Sequence, residues 1–456
     1  MLSAIAYVQP ILTAISRAGG QPHIVGGAVR DLLRGVPVKD VDIEVYGLPI
    51  ERLISVLGEF GRVDAVGRSF GVLKLRLPGG RDIDVSLPRR ESKVGAGHRG
   101  FLAEPDPTMS PLEAAGRRDF TWNAMALTPT GDLLDYYGGV ADLNARLIRH
   151  TTAAFAEDPL RVLRAMQFAG RFGMRLAPDT AALSRQLLPE AATLATERIW
   201  AEWQKWALQS TRPSDGLQAL DATGWLALYP ELTALIGCVQ DAFYHPEGDV
   251  WQHTLFVCDA AADIAVRDGL DGEQRMVLLF AALCHDFGKP ATTLVLPDGR
   301  VRSAGHAQAG IEPARAFLRR IGCPRAIADA VLPLIAEHMV LHGMDRTPRA
   351  VRRLALRLSP ATLVQWGRLV EADASGRPPR PPAAPGAPIL ALAEQLGAAH
   401  GQPAPLLQGK HLIERGIAPG PQLGALLRRA YEAQIDGDFT TLEEGLAWLQ
   451  REGVRG

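Results

Sequence analysis

Two neighbouring segments, IVGGAVRDLLRG and VKDVDIEVYG, restrict what this chain can fold into more than any other feature. In the second, Val41, Ile43 and Val45 alternate with polar residues, the period of a strand with one face in a core. Asp40 and Asp42 then project together from the opposite face. Two like charges so close are costly unless a cation neutralises them. A divalent ion such as Mg²⁺ does this, and it is the natural companion of a nucleoside triphosphate. In the first segment a short strand, His23-Ile24-Val25, runs into Gly26 and Gly27 and then a helix. Residues without side chains let amide N–H groups face an anion at the helix start. Arg30, one turn into the helix, would reach the same anion as a fork.

The surrounding pattern is consistent with an α/β head over residues 1–140. Gly71 to Leu77 and Ile83 to Leu87 read as further strands. The first residues, MLSAIAYVQPILTAISRAGG, lack a basic leader, and their apolar residues run only to Ile15. That is too short to span a membrane and predicts an amphipathic first helix. From about Asp142 the periodicity becomes helical, as in PLRVLRAMQFAGRF and ERIWAEWQKWALQ. It predicts a helical neck over 141–245 and a further helical domain over 246–375. The proline-rich segment 376–388 reads as a linker without regular structure, and 389–456 as a small helical tail.

Charge narrows the partners. Forty-nine basic residues against 50 acidic ones give a net charge of −1, which excludes a protein that holds nucleic acid by bulk charge. Nucleic-acid contact must come from local arginines, and Arg146, Arg149, Arg171 and Arg175 in the neck are candidates, as solvated helix residues or as backbone contacts. Four cysteines without a CxxC pair give no disulfide framework and favour a reducing, cytoplasmic setting.

The order GGAVRD, KDVDIEVYG, RRDFTWNAMA (117–126) and EDPLRVLRAMQFAGRFG (157–173) resembles the class II tRNA nucleotidyltransferases, the CCA-adding enzymes and their poly(A) polymerase relatives. The resemblance covers roughly residues 20–240. It implies a polymerase-β-like nucleotidyltransferase head, a mixed sheet with helices, followed by a mostly α-helical neck. It also implies that Asp40 and Asp42 hold Mg²⁺ and that Gly27, Arg30 and Arg118 bind the nucleotide. A third carboxylate is usual on a neighbouring strand; RDIDVSLP offers Asp84, with Asp82 on the same face as runner-up. The reaction implied is attack of a tRNA 3′-hydroxyl on the α-phosphate of CTP or ATP.

Asp158, Arg161 and Arg164 recur every three residues at a helix start, where Asp158 suits an N-cap and Pro159 a first helical position. Cytosine and adenine carry an exocyclic amine where uracil and guanine carry a carbonyl oxygen. A carboxylate accepts from that amine while an arginine donates to the adjacent ring nitrogen. The family uses the motif in this way. Gln167 is a departure, since related enzymes often carry a further arginine there.

The middle of the chain carries His253, the pair His285-Asp286, His306, His338 and Asp373. A carboxylate directly after the apolar run MVLLFAALC needs a cation or several donors, and imidazole with carboxylate suits a divalent transition metal such as Ni²⁺ or Mn²⁺. The ordered set resembles the HD-domain metal-dependent phosphohydrolases. By that resemblance His253, His285, Asp286 and Asp373 are metal ligands, while His306 and His338 serve phosphate binding or a second metal. Lys289 either steadies a phosphate or ends a helix. The pairing of this module with a nucleotidyltransferase is similar to the bacterial multifunctional CCA proteins, in which it is associated with phosphatase and 2′,3′-cyclic phosphodiesterase activity.

These readings predict a CCA-adding enzyme whose partners are CTP, ATP and the tRNA 3′ end, with no membrane and no protein partner inferred. Rivals are a poly(A) polymerase, an enzyme adding only CC or only A, and a phosphohydrolase whose head merely binds nucleotide or RNA.

Overall fold

Alternation of apolar and polar residues puts Ile43, Val45, Leu73, Leu75, Ile83 and Val85 fully into a core, and the strands that carry them build the main sheet. The computed structural model describes residues 2–64, 71–93, 101–379 and 383–453. It divides into two compact units, Met1–Trp206 with Asp215–Leu226, and Ala207–Ser214 with Ala227–Gly456.

The first unit begins with a 3₁₀ segment, Leu2–Val8, and the helix Gln9–Arg17, whose Ile11, Leu12 and Ile15 are buried. Its strands are β1 (Gln21–Val25), β2 (Asp42–Tyr46), β3 (Arg62–Asp64), β4 (Val72–Arg76), β5 (Asp82–Ser86), β6 (Arg89–Lys93), β7 (Phe101–Pro105), β8 (Ala126–Leu127) and β9 (Leu133–Leu134). Among the described residues, seven form one sheet in the order β3-β4-β5-β2-β1-β8-β9, and β6 and β7 form a separate hairpin. Within this sheet β2 and β5 are the one parallel pair among the described residues, so the sheet is mixed. The strands read from the sequence are present with ends shifted by a residue or two.

One shift matters. β2 starts at Asp42, so Asp40 lies before the strand, not on it. The cause is its neighbour: β1 ends at Val25, opposite Asp42, where the chain turns away at Gly26, so Asp40 has no ladder partner there. Apart from the short parallel pair Leu147–Ile148 and Arg175–Leu176, the rest of the unit is helical, centred on Leu160–Phe172, which ends at Gly173 with φ of 62°. Phe168 of this helix joins Phe120, Trp122 and Phe155 in an aromatic cluster with ring centroids 4.9–5.8 Å apart.

The second unit is helical. Gly272–Cys284 is buried on every side from Val277 onward, the mark of a central helix, and it packs against Val250–Arg267, Arg325–Glu337 and Leu363–Ser375. The expected linker, part of which lies outside the described residues, is shorter than 376–388, because Ala387 and Pro388 start the first of four helices (Ala387–Gln395, Gly409–Ile413, Pro421–Asp436 and Leu442–Arg451), where proline suits a first turn. Leu412, Ala430, Phe439, Trp448 and Leu449 form the tail's own core. No described helix is long and apolar enough to cross a membrane.

Candidate active sites

The register of three strands concentrates carboxylates in the first unit. Asp42 stands opposite Val25 in β1 and opposite Asp84 in the parallel strand β5. Burial pushes the Asp42 carboxyl above its ordinary pKa; Arg118 opposes this, and the negative charges of Asp84, Asp40 and Glu44 add to it. The charges of Asp84 and Asp40 thus both bear on Asp42. A group of crowded, partly desolvated carboxylates fits a hard divalent cation. Asp84 is ion-paired to Lys74 at 3.2 Å, and Asp82 is taken up by Arg76. Both are thus ion-paired alike, and what distinguishes Asp84 is its place opposite Asp42 in the parallel register.

The glycine turn is shaped by close approach. Gly26 has φ of 69°, and a Cβ there would lie 3.1 Å from Nη1 of Arg118 and 3.7 Å from Oδ2 of Asp42. Gly26, more than Gly27, thus lets backbone reach the carboxylates. A Cβ on Gly27 would instead meet Nη2 of Arg30 at 3.4 Å. Arg30 does not offer its fork to an anion as the sequence suggested. It is buried, donates to Asn123 at 3.1 Å and to Asp31 at 2.9 Å, and stacks 4.8 Å from the Phe172 ring.

Arg118 and Arg161 do share a space. A cavity of about 230 Å³ is lined by both, together with Glu44, Ser86, Arg89 and Arg117. Glu44, which the sequence reading left out, pairs with Arg118 at 3.3 Å and accepts from the Tyr46 hydroxyl.

The three-residue strip is not laid along one helical face, because Asp158 precedes the helix with extended backbone. Its two oxygens are both engaged, one accepting from the Leu160 amide at 3.1 Å and one pairing with Arg198 at 2.8 Å. Arg161 donates to the carbonyls of Ala154 and Arg117, and Arg164 pairs with Asp119 at 2.7 Å. Burial alone would raise the Asp119 carboxyl, but Arg164 and Asn123 hold it below the ordinary range. Gln167 is buried with Oε1 unpartnered, so it faces the interior. Of the neck arginines, Arg149 pairs with Asp142 and Asp179 and Arg171 lies over Phe172, while Arg146 and Arg175 are exposed.

The second unit gathers all six of its predicted residues. His253 comes from the helix Val250–Arg267 and Asp373 from Leu363–Ser375; His285 and His338 end two other helices. Nε2 of His253 lies 3.1 Å from Asp373 and 3.9 Å from Asp286. Asp286 lies 3.1 Å from Nε2 of His285, 3.3 Å from that of His306 and 3.9 Å from that of His338. Two ligand groups result, His253–His285–Asp373 and Asp286–His306–His338. Gly288 permits this closure, since a Cβ there would sit 2.0 Å from the His306 carbonyl oxygen.

The imidazoles are pre-oriented. Nδ1 of His285, His306 and His338 lies 2.7–2.8 Å from the carbonyls of Ala282, Ser303 and Ile335, which directs each Nε2 inward as an acceptor. His253 differs: its Nδ1 faces Oε1 of Glu247 at 2.8 Å, as a charge contact more than an aligned hydrogen bond. Glu247, whose side chain is fully buried, also accepts from His245. Burial, with His285 next, pushes His338 down to about 4, leaving it neutral and able to ligate. Burial works against the Asp286 charge, but His285 and Lys289 hold that carboxyl well below the usual range. Oδ1 of Asp286 and Nε2 of His285 are buried without a hydrogen bond, and Oδ2 of Asp286 meets Lys289. Orphaned donor atoms of this kind, facing one another, fit one or two divalent transition metals.

Comparison with known proteins finds family models for both units. Residues 22–149 match the poly A polymerase head domain, 173–236 the "probable RNA and SrmB- binding site of polymerase A", and 250–393 the HD domain. A multifunctional CCA protein of Xanthomonas campestris is 38% identical over 426 residues, 91% of this chain and 97% of that protein. In fold, the chain is similar to the Bacillus stearothermophilus CCA-adding enzyme in complex with CTP (TM-score 0.67, 22% identity, covering 99% and 98% of the two chains). It is also similar to the Thermotoga maritima CCA-adding enzyme complexed with tRNA (TM-score 0.60, 19% identity, 98% and 95%).

Proposed function

This chain belongs to the multifunctional CCA protein family, and from that membership we propose that it builds and repairs the CCA terminus of tRNA. It is a nucleotidyltransferase that takes CTP and ATP and extends the tRNA 3′ end without a template. The observation that carries this reading is Asp42 facing Asp84 across paired strands, with Gly26 and Arg118 beside them.

Asp40, Asp42 and Asp84 would hold Mg²⁺, which when bound neutralises triphosphate charge and favours ionisation of the attacking 3′-hydroxyl. Arg118, Arg117 and Arg89 line the adjoining cavity and supply donors for phosphate oxygens. Asp158 and Arg161 would read the amine and neighbouring ring nitrogen shared by cytosine and adenine, with Arg164 braced behind them by Asp119. To do so they exchange their present partners, Arg198 and two backbone carbonyls, for the base edge. Gly27 shapes the turn, and Arg30 acts through it by fixing Asn123 and the aromatic stack.

In the second unit His253, His285, Asp286 and Asp373 would hold a transition metal such as Ni²⁺ or Mn²⁺, with His306 and His338 completing a second position. When bound, the metal supplies an electrophile for a phosphoester and a more acidic water. Lys289, ion-paired to Asp286 at 2.7 Å, lies on the same cavity wall and can meet phosphate oxygens. The division of labour is then a head at 1–140, a base-reading neck at 141–245, a phosphohydrolase domain at 246–375, a linker at 376–386 and a tail at 387–456. The four free cysteines suit a cytoplasmic enzyme.

The deciding experiment supplies tRNA ending at its discriminator base with CTP and ATP, separately and together. CTP alone should give CC and the mixture CCA. An unlimited A tract, or a stop after CC with both nucleotides present, rejects the proposal in favour of a poly(A) or CC-only enzyme.

A further inference from the structure

The segment joining Cys238 to the helix Val250–Arg267 is fastened at many points, yet it holds two aromatic rings in solvent. The Asp241 carboxylate accepts from the amides of Phe243 at 3.1 Å and Val301 at 3.3 Å, and its backbone carbonyl accepts from Tyr244 and His245. Gln240 accepts from Lys289 at 2.6 Å and donates to the Gly248 carbonyl. A loop this well tied could have turned its apolar residues inward. Instead Phe243 is 85% and Tyr244 63% exposed, with their rings perpendicular and 5.1 Å apart.

Tyr244 stands on the wall of a cavity of about 380 Å³ that Asp286, Lys289, Arg302 and Arg377 also line. Arg302 and Arg377 add two cationic groups to a lining that also carries Asp241 and Asp373. One part of the lining therefore offers imidazole, carboxylate and ammonium groups for a phosphoester, and another offers the Tyr244 ring, with Phe243 outside the cavity against it. A ligand matching both parts is anionic at one side and carries a flat ring at the other. Every nucleobase has a π-face, and stacking on exposed aromatic side chains is how proteins hold unpaired bases.

We propose that Phe243 and Tyr244 form a stacking platform that selects nucleobase-bearing phosphoesters, such as an RNA 3′-terminal nucleotide, for the histidine–aspartate cavity. The proposal rests on the phosphohydrolase reading of that cavity and adds the residues that choose its substrate. The two rings are specificity residues; they take no part in bond breaking.

The test compares adenosine 2′-phosphate with ribose 2-phosphate, which share the ester and differ by the base, on the full-length metal-loaded protein. The wild-type protein should favour the adenosine ester in kcat/KM by roughly 5- to 150-fold, the range expected of one stacked base. The double variant Phe243→Ala, Tyr244→Ala should bring the ratio close to one, and Tyr244→Phe should restore part of it. Equal losses on both esters, or a wild-type ratio near one, would overturn the platform. The same pair is titrated by calorimetry to separate this idea from the one beneath it. Base-dependent affinity that vanishes in the double variant, without turnover of either ester, would support the platform and remove the hydrolase; affinity indifferent to the base would remove the platform.

Discussion

Oε1 of Glu247 lies 2.8 Å from Nδ1 of His253, while the opposite ring nitrogen lies 3.1 Å from Asp373. His285, His306 and His338 are oriented by backbone carbonyls, whereas His253 faces the Glu247 carboxylate, which it shares with His245. A carboxylate in that place fixes the ring and makes its inner nitrogen a stronger ligand.

Glu247→Gln should therefore weaken binding of Mn²⁺ or Ni²⁺ by roughly 10- to 100-fold, as outer-shell substitutions do. Isothermal titration of the metal-stripped protein measures this directly. An unchanged affinity would show that Glu247 only packs the loop.

Asp286→Ala removes the carboxylate that lies within 3.9 Å of four imidazole nitrogens. Metal-dependent hydrolysis of phosphoesters should disappear while CTP incorporation into tRNA is retained. Chelation followed by return of Mg²⁺ alone should give the same split. Simultaneous loss of both activities would mean that the two sites are not independent.

Gly26→Ala places a methyl group against Arg118 and forces a non-glycine residue to φ of 69°. Such strain costs about 1–3 kcal/mol, and the urea midpoint should fall accordingly. Nucleotide incorporation should fall further than stability accounts for, because the turn beside Asp42 is displaced.

Asp158→Asn keeps the cap but reverses half of the polarity offered to a base. Discrimination between CTP and UTP should drop by roughly 10- to 100-fold, the worth of one good bidentate contact. Competition assays with both nucleotides give the ratio. Retained discrimination would assign Asp158 to the cap and to Arg198 alone.

The strands and the paired acidic motif were readable in the sequence because period-two alternation leaves a strong trace, as at Val41, Ile43 and Val45. The six residues of the histidine–aspartate cavity were readable through the order in which they recur, since among them only Asp286, directly after an apolar run, called for a cation by its own setting. Other features left no trace. A fork such as Arg30 looks the same whether it faces solvent or an aromatic stack, and only Asn123 and Phe172, far along the chain, decide which. Glu247 stands six residues before His253 across a loop–helix junction, where no periodicity links them. Asp40 falls outside its strand because of where β1 stops, a property of the partner and not of the segment.

The account turns on Asp42. Single-turnover addition of [α-³²P]CTP to tRNA lacking CCA, in the wild-type protein and in Asp42→Asn, measures its part most directly. The account predicts a rate lower by at least about 10³-fold in the variant with tRNA affinity retained, since positioning and charge neutralisation carry this chemistry. Incorporation by Asp42→Asn at the wild-type rate would contradict it.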